Sequence, residues 1–161
     1  NDEKILCMTA KQLIIPVEIK NRELEGALVL ASIFIRNGWI VYIGQKQQIF
    51  PYINQFSPSV MYVKSIVPGE LSLLKKFKKN NHFIVTKDVE GLIFAMSEFG
   101  IKQRFSKKTI EVADLIFFWG KKQSDLWKKF YGKYRGKIHI TGSQIIDSWK
   151  IFRKKIKQKK K

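Results

Sequence analysis

Four ionisable residues lie close together near the start of the chain, directly after its first predicted strand. They are Glu18, Lys20, Arg22 and Glu23, and they follow the apolar run Leu13–Val17. A carboxylate beside cations can keep a low pKa, or it can act as a base when it is partly desolvated. Lysine and arginine at the same place can bind an anionic substrate group. The pattern predicts Glu18 as a candidate catalytic base, with the other three residues binding substrate.

Similar junctions recur after later strands. Lys64 and Ser65 follow the third predicted strand, and Glu90 and Gly91 follow the fourth. Ligands of open α/β sheets bind in the crevice beyond the carboxyl ends of the strands, so we expect these residues at the same edge as Glu18. The alternatives are ordinary turn chemistry at each later junction and a solvated first helical turn for the Glu18 cluster.

Two junctions near the end of the chain supply further candidates. Trp119 ends the fifth predicted strand and can form the floor of a sugar-binding site, whereas Phe117 and Phe118 are predicted to pack in the core. Thr141 and Gly142 open the last helix, where free backbone N–H groups can hold an anion. Threonine is also common as an ordinary helix cap, which is the alternative here.

The elements that must position these residues alternate between short β-rich runs and helical patterns. We predict strands at Leu13–Val17, Trp39–Ile43, Val60–Val63, His82–Thr86, Leu115–Trp119 and Ile138–Ile140. We predict helices at Arg22–Asn37, Lys46–Gln55, Glu70–Lys79, from the cap Ser106 to Ala113, and Gln123–Tyr131. An irregular stretch is predicted to follow the strand that ends at Thr86 and to continue through Gly100. This alternation predicts an α/β, Rossmann-like doubly wound fold with a mostly parallel sheet and helices on both faces.

The first predicted helix has a distinct apolar pattern. Leu24, Leu28, Ala31 and Ile35 recur at helical spacing, which predicts that they form its buried face. The run from Ala27 to Ile35 is the longest apolar stretch, and it is far shorter than the roughly 20 residues needed to span a bilayer.

Composition bounds the class of protein. The 161 residues fit one domain, and the net charge of +18 favours an anionic partner or surface. The basic residues are mostly lysines, which recognise phosphate less specifically than arginine does. Cys7 is the sole cysteine, which favours a reducing compartment. We therefore predict a cytoplasmic protein with a folded domain over residues 1–149 and a basic, lysine-rich tail over residues 150–161.

Several signatures are absent from the sequence. It contains no P-loop, no dinucleotide fingerprint and no nucleophile elbow. His82 and His139 lack Cys or carboxylate partners at ligand spacing, so no metal site is predicted. No RRM, KH, zinc-finger or helix-turn-helix signature is present, and a nucleic-acid partner is disfavoured. A basic nucleic-acid-binding module driven by charge alone remains an alternative function.

The opening of the chain resembles a known family. Pro16–Leu24 is similar to the PVE-x-K-x-RE-L opening of bacterial surface carbohydrate biosynthesis proteins, which are GT-B-type glycosyltransferase-like. Further similarities follow in the same order over residues 13–149. They are Ile43-Gly44-Gln45-Lys46, Lys64-Ser65, Glu90-Gly91, Arg104-Phe105-Ser106, Phe118-Trp119-Gly120 and His139-Ile140-Thr141-Gly142, with Asp147 downstream.

The resemblance implies the acceptor-side half of a glycosyltransferase of capsule or lipopolysaccharide biosynthesis. It implies a saccharide acceptor, anionic in character, and adds Arg104 to the substrate-binding residues. The chain itself would hold no cofactor, because a nucleotide-sugar donor is expected only with a C-terminal half. A fragment, a truncated gene product and one piece of a split enzyme are all compatible with this, as is a non-catalytic partner subunit docking on a separate donor-binding domain. The basic tail 150–161 is expected to hold the protein peripherally on the anionic inner face of the cytoplasmic membrane.

Overall fold

A computed structural model of the protein describes residues 11–87 and 97–150. Six strands in this part of the chain form one parallel sheet. They are β1 Gln12–Val17, β2 Ile40–Gln45, β3 Val60–Val63, β4 Phe83–Lys87, β5 Leu115–Phe118 and β6 Ile138–Ile140. The predicted Rossmann-like, doubly wound α/β fold is confirmed.

The helices follow the strands in alternation. They are α1 Lys20–Arg36, α2 Lys46–Ile49, α3 Leu71–Lys79, α4 Glu98–Arg104, α5 Lys107–Val112, α6 Lys121–Tyr131 and α7 over residues 144–150. Short 3-10 segments lie at Phe50–Gln55, Pro68–Glu70 and Gly132–Lys137. Pro51 lacks an N–H, so it ends the regular helix that was predicted to run from Lys46 to Gln55.

The order of the strands locates the place where a ligand crevice is expected. The order is β2-β1-β3-β4-β5-β6, so the chain moves outward from β1 to β2 and then crosses back to β3. Connections on opposite sides of the sheet diverge between β1 and β3, and this switch point is where such folds open a crevice at the carboxyl ends.

Two apolar layers cover the sheet. One face carries Ile14, Met61 and Ile84, which pack with Phe77 and Trp127 of α3 and α6. The other carries Leu13, Val60 and Tyr62, which pack with Ala27 and Ala31 of α1. Because both faces are covered, the central strands are apolar without alternation, which is why they were recognisable in the sequence.

The structure corrects two predictions about helices. Leu28 and Ile35 are 52% and 58% exposed, whereas Ala31 is buried as predicted and α1 also buries the small residues Gly26 and Ala27. Small residues let α1 lie close to the sheet and to α7, which moves the apolar stripe partly into solvent. The stretch before Gly100 was predicted to be irregular, but α4 begins at Glu98, capped by the Ser97 side chain, which accepts a hydrogen bond from the Gly100 N–H at 3.0 Å.

Candidate functional site

Side chains from two neighbouring strand ends meet at the switch point. Glu18 follows β1, Lys64 follows β3, and their side chains form an ion pair. Lys46 at the start of α2 pairs with Glu70 at 3.0 Å, and the Ser65 hydroxyl donates to the other Glu70 oxygen at 3.0 Å. The structure therefore brings Glu18, Lys64 and Ser65 together, as their positions after parallel strands predict.

Electrostatics at the switch point favour ionised, paired groups. The pKa of Glu18 is lowered, chiefly by the hydrogen bond from Lys64. Burial is the next-largest effect and raises the pKa, and the charges of Lys46, Lys64 and Arg22 each lower it further. A carboxylate with a lowered pKa is a weaker proton acceptor, which makes Glu18 a poorer base than its position alone suggested. Each partly exposed pair contributes about 1 kcal/mol or less to stability.

The switch point offers little space. Two cavities lie beside Lys64, one toward Phe50 and Leu74 and the other toward Tyr62, and each encloses about 20 Å³. A volume of that size holds about one water molecule. Because the charges there are paired with each other and the space is small, the geometry indicates a structural ion-pair cluster more than a binding site.

A larger cavity opens beyond the carboxyl ends of β5 and β6. It has a volume of about 480 Å³ and lies between the start of α6 and the start of α7. Three lysines and one aspartate supply its charged lining, which makes it electropositive: Lys121, Lys122, Lys150 and Asp147. The distance from Lys150 Nζ to Asp147 Oδ1 is 3.6 Å and both side chains are exposed, so this ion pair is weak.

The start of α6 presents donors to this cavity. Gly120 occupies the N-cap position and has no side chain to cap the helix, so the first-turn N–H groups lack that partner. These N–H groups and the helix dipole favour a bound anion. The side chains of Lys121 and Lys122 add positive charge at the same end.

Two buried side chains in the cavity lining have unmet hydrogen-bonding capacity. Gln123 is 4% exposed, and its Oε1 accepts the Trp119 N–H at 2.9 Å. Because the Trp119 N–H is a donor, the atom of the Gln123 amide that faces it must be the oxygen, and the NH₂ group Nε2 therefore points away from the Trp119 N–H. Among the described residues, neither Gln123 Nε2 nor Ser143 Oγ has a hydrogen-bond partner, although Ser143 is only 5% exposed. A buried donor without a partner costs about 1–3 kcal/mol, which a ligand can recover.

The chain conformation before α7 places the Ser143 hydroxyl in the cavity lining. Gly142 has φ +77°, a left-handed conformation that glycine adopts without strain. The Ser143 carbonyl accepts a hydrogen bond from the Asp147 N–H at 3.1 Å, so Ser143 occupies the N-cap position of α7. Its hydroxyl caps no backbone group, in contrast to Ser97 and Ser106 at the starts of α4 and α5.

A buried lysine lies at the end of β4. Lys87 is 5% exposed, and burial lowers its pKa to about 8, against an opposing effect from the charge of Asp147. The predicted strand ended at Thr86, so sequence reasoning did not find this residue. Lys46, Glu70, Lys121, Lys122, Gln123 and Ser143 were missed as well. The pair Lys121-Lys122 after a glycine was the available signal, but the predicted helix began only at Gln123.

The remaining predicted site residues are distributed over the molecule. Trp119 and Gly142 line the large cavity, and the Thr141 N–H donates to the Phe118 carbonyl at 3.0 Å. Glu23 is buried beside the switch point, where its Oε2 accepts the Glu18 N–H at 2.7 Å and its Oε1 binds Arg22 at 2.9 Å. Lys20 is exposed at the start of α1, and Arg104, the last residue of α4, does not line the two small cavities or the large one. Glu90 and Gly91 lie outside the described residues.

The described part of the chain contains neither a cluster of metal-ligating residues nor a membrane-spanning helix. No group of three or more His, Cys, Asp or Glu residues that could hold a metal ion occurs among residues 11–87 and 97–150. His82 instead accepts the Ser59 N–H at its Nδ1, 3.1 Å away, inside the core. Within the described ranges, no helix is both long enough and apolar enough to cross a bilayer.

The chain is similar to a solved structure, but the similarity is weak. No family model matches the chain, and no curated protein matches it. The structure is a YwlE mutant from Bacillus subtilis, which is 14% identical, with 95% of this chain and 100% of that chain covered at a TM-score of 0.30. A likeness this weak does not assign a function.

The glycosyltransferase prediction is corrected on these findings. The solved structure that the chain matches is described as a YwlE mutant from Bacillus subtilis and not as a glycosyltransferase. No family model or curated relative points to surface carbohydrate biosynthesis. The short motifs behind the resemblance lie mostly at strand ends, where any parallel sheet places charged and small residues, and this explains why they suggested a family.

Proposed function

We propose that this protein binds a small phosphorylated ligand in the cavity between the starts of α6 and α7. The observation that carries the proposal is a 480 Å³ electropositive cavity whose lining includes two buried side chains, Gln123 and Ser143, with unpartnered polar atoms. A phosphate oxygen accepts hydrogen bonds from amide, hydroxyl and backbone N–H donors, and all three kinds are present here.

The lysines of this cavity differ from those of the switch point in their ion pairing. At the switch point Lys46 and Lys64 are paired with Glu70 and Glu18, so an anion that binds these lysines would have to displace an ion pair. In the large cavity, Lys121 and Lys122 lie on the first turn of α6 and are exposed. An anion binding there gains charge-assisted hydrogen bonds without breaking those of the switch point.

A single substitution at Gln123 tests the proposal. Gln123→Glu keeps an oxygen that accepts the Trp119 N–H and replaces the unpartnered donor with a second carboxylate oxygen. We expect calorimetric titration with inorganic phosphate, at fixed ionic strength, to show affinity for the wild type and at least about a tenfold loss in this variant, since losing a charge-assisted hydrogen bond costs roughly 1.5–3 kcal/mol.

The matched control is Gln103→Glu, which makes the same change on an exposed position of α4. It should leave phosphate affinity within about twofold of the wild type, a difference of less than about 0.5 kcal/mol. Ser143→Ala provides a second, neutral test if Gln123→Glu unfolds the protein. Equal phosphate affinity in the wild type, Gln123→Glu and Ser143→Ala, or none in the wild type, would contradict the proposal.

Peripheral association with membranes is a second part of the proposal. Residues 150–161 contain seven lysines and one arginine, and all but Lys150 lie outside the described residues. An anionic leaflet attracts such a segment by about 1 kcal/mol per basic residue near the surface. These eight basic residues are part of the net charge of +18 and concentrate it in one short segment.

A further inference from the structure

The cavity is larger than a phosphate group requires. Its volume of about 480 Å³ lies within the roughly 300–1,000 Å³ that small-molecule pockets usually have. The donors at the start of α6 occupy one part of the lining. Trp119 and Ile146 provide large apolar surfaces elsewhere in it, so the cavity can accommodate an apolar or planar portion of the ligand beside the phosphate.

Trp119 is held in place by the same residue that presents a donor to the phosphate. Its backbone N–H donates to Gln123 Oε1 at 2.9 Å, and it follows Phe118, which is completely buried in the core. These two attachments fix the backbone of Trp119 next to the first turn of α6. Trp119 lines the cavity at this place, and a tryptophan ring is a surface on which flat rings stack.

We propose that the ligand is a phosphate monoester that carries a ring, with the phosphate at the start of α6 and the ring face on Trp119. This inference depends on the proposed function, because it places the ring relative to the phosphate. Nucleobases and sugar rings both stack on tryptophan, and they are the two sources of such a ring.

The experiment compares four ligands by calorimetry on the full chain. They are inorganic phosphate, glycerol 3-phosphate, which has no ring, adenosine 5′-monophosphate and glucose 1-phosphate. In the wild type, we expect at least one ring-bearing ester to bind about tenfold more tightly than glycerol 3-phosphate. Trp119→Leu should remove this preference, so that the ring-bearing esters bind no more tightly than glycerol 3-phosphate does to the same variant.

Trp149→Leu is the matched control, because Trp149 is 59% exposed and does not line the cavity. It should retain the full preference. Trp119→Phe keeps a smaller aromatic face and should retain part of it, which preserves the test if the leucine variant unfolds.

The outcomes separate the two proposals. Tighter binding of adenosine 5′-monophosphate identifies a nucleobase as the ring, and tighter binding of glucose 1-phosphate identifies a sugar. Phosphate binding without any ring preference, or a preference that survives in Trp119→Leu, overturns the inference and leaves the proposed function standing. Absence of phosphate binding in the wild type overturns both.

Discussion

Lys87 shows how strongly burial acts on a single side chain of this protein. It ends β4 with 5% of its surface exposed, and burial brings its pKa down to about 8, with Asp147 opposing the shift. The folded state therefore disfavours the charged amine relative to the unfolded chain. Below pH 8 the amine is protonated in both states, so folding must bury the charge. Between pH 8 and the ordinary lysine pKa near 10.5 the unfolded state binds more protons, and stability rises with pH.

We expect Lys87→Met to raise the free energy of unfolding at pH 7 by about 2–3 kcal/mol, because the variant no longer buries a charge. The advantage should shrink as pH rises from 8 toward 10, where the wild-type amine is increasingly neutral. Urea unfolding at pH 7 and pH 9.5 measures this. Lys75→Met on the exposed side of α3 is the control and should change stability by less than about 0.5 kcal/mol. The same advantage for Lys87→Met at both pH values would contradict the assignment.

The approach of α1 to α7 depends on one glycine. A Cβ atom added at Gly26 would lie 2.9 Å from Gln144 Cγ and 3.4 Å from Ile145 Cγ1. We expect Gly26→Ala to lower the free energy of unfolding by about 1 kcal/mol, because the cost of overpacking exceeds the helix-propensity gain of alanine.

The control is the same substitution in a Gln144→Ala background, where the obstructing Cγ is absent. There Gly26→Ala should raise the free energy of unfolding by about 0.5–1 kcal/mol. Urea unfolding of the four proteins gives this double-mutant cycle, and an equal effect in both backgrounds would show that the contact does not limit packing.

At the level of elements, the sequence was sufficient for the sheet but not for the cavity. Val60–Val63 matches its predicted bounds, because an apolar run between turn residues marks a buried parallel strand. Ile138–Ile140 also matches its predicted bounds, although it is a partly exposed edge strand that contains His139. The meeting of Glu18 with Lys64 followed from the same reasoning. The cavity depends on how α6 and α7 pack at β5 and β6, and that is not local information. The exposure of Leu28 and Ile35 could not be predicted for the same reason. Helical spacing identifies apolar residues on one face of a helix, but it does not tell which face packs against a neighbouring element.

At the scale of the whole molecule, the net charge of +18 acts over a wider range than any single site. Screening limits each exposed charge to about a Debye length, roughly 8 Å at physiological salt. The positive potential therefore attracts anionic ligands and surfaces without selecting among them. Selectivity has to come from fixed donors such as Gln123 Nε2 and Ser143 Oγ.

The membrane prediction tests whether position, as well as total charge, matters. The chain should sediment with vesicles that contain anionic lipid and not with neutral vesicles, and added salt should release it. Replacing Lys154, Lys155, Lys157, Lys159, Lys160 and Lys161 by glutamine should weaken binding at least about a hundredfold, given about 1 kcal/mol per residue. The control replaces the same number of exposed lysines in the folded part, namely Lys75, Lys76, Lys107, Lys108, Lys128 and Lys129. Both variants have the same net charge, so an equal loss of vesicle binding in the two would show that the tail has no special role. Equal binding of the wild type to neutral and anionic vesicles would show that the attraction is not electrostatic.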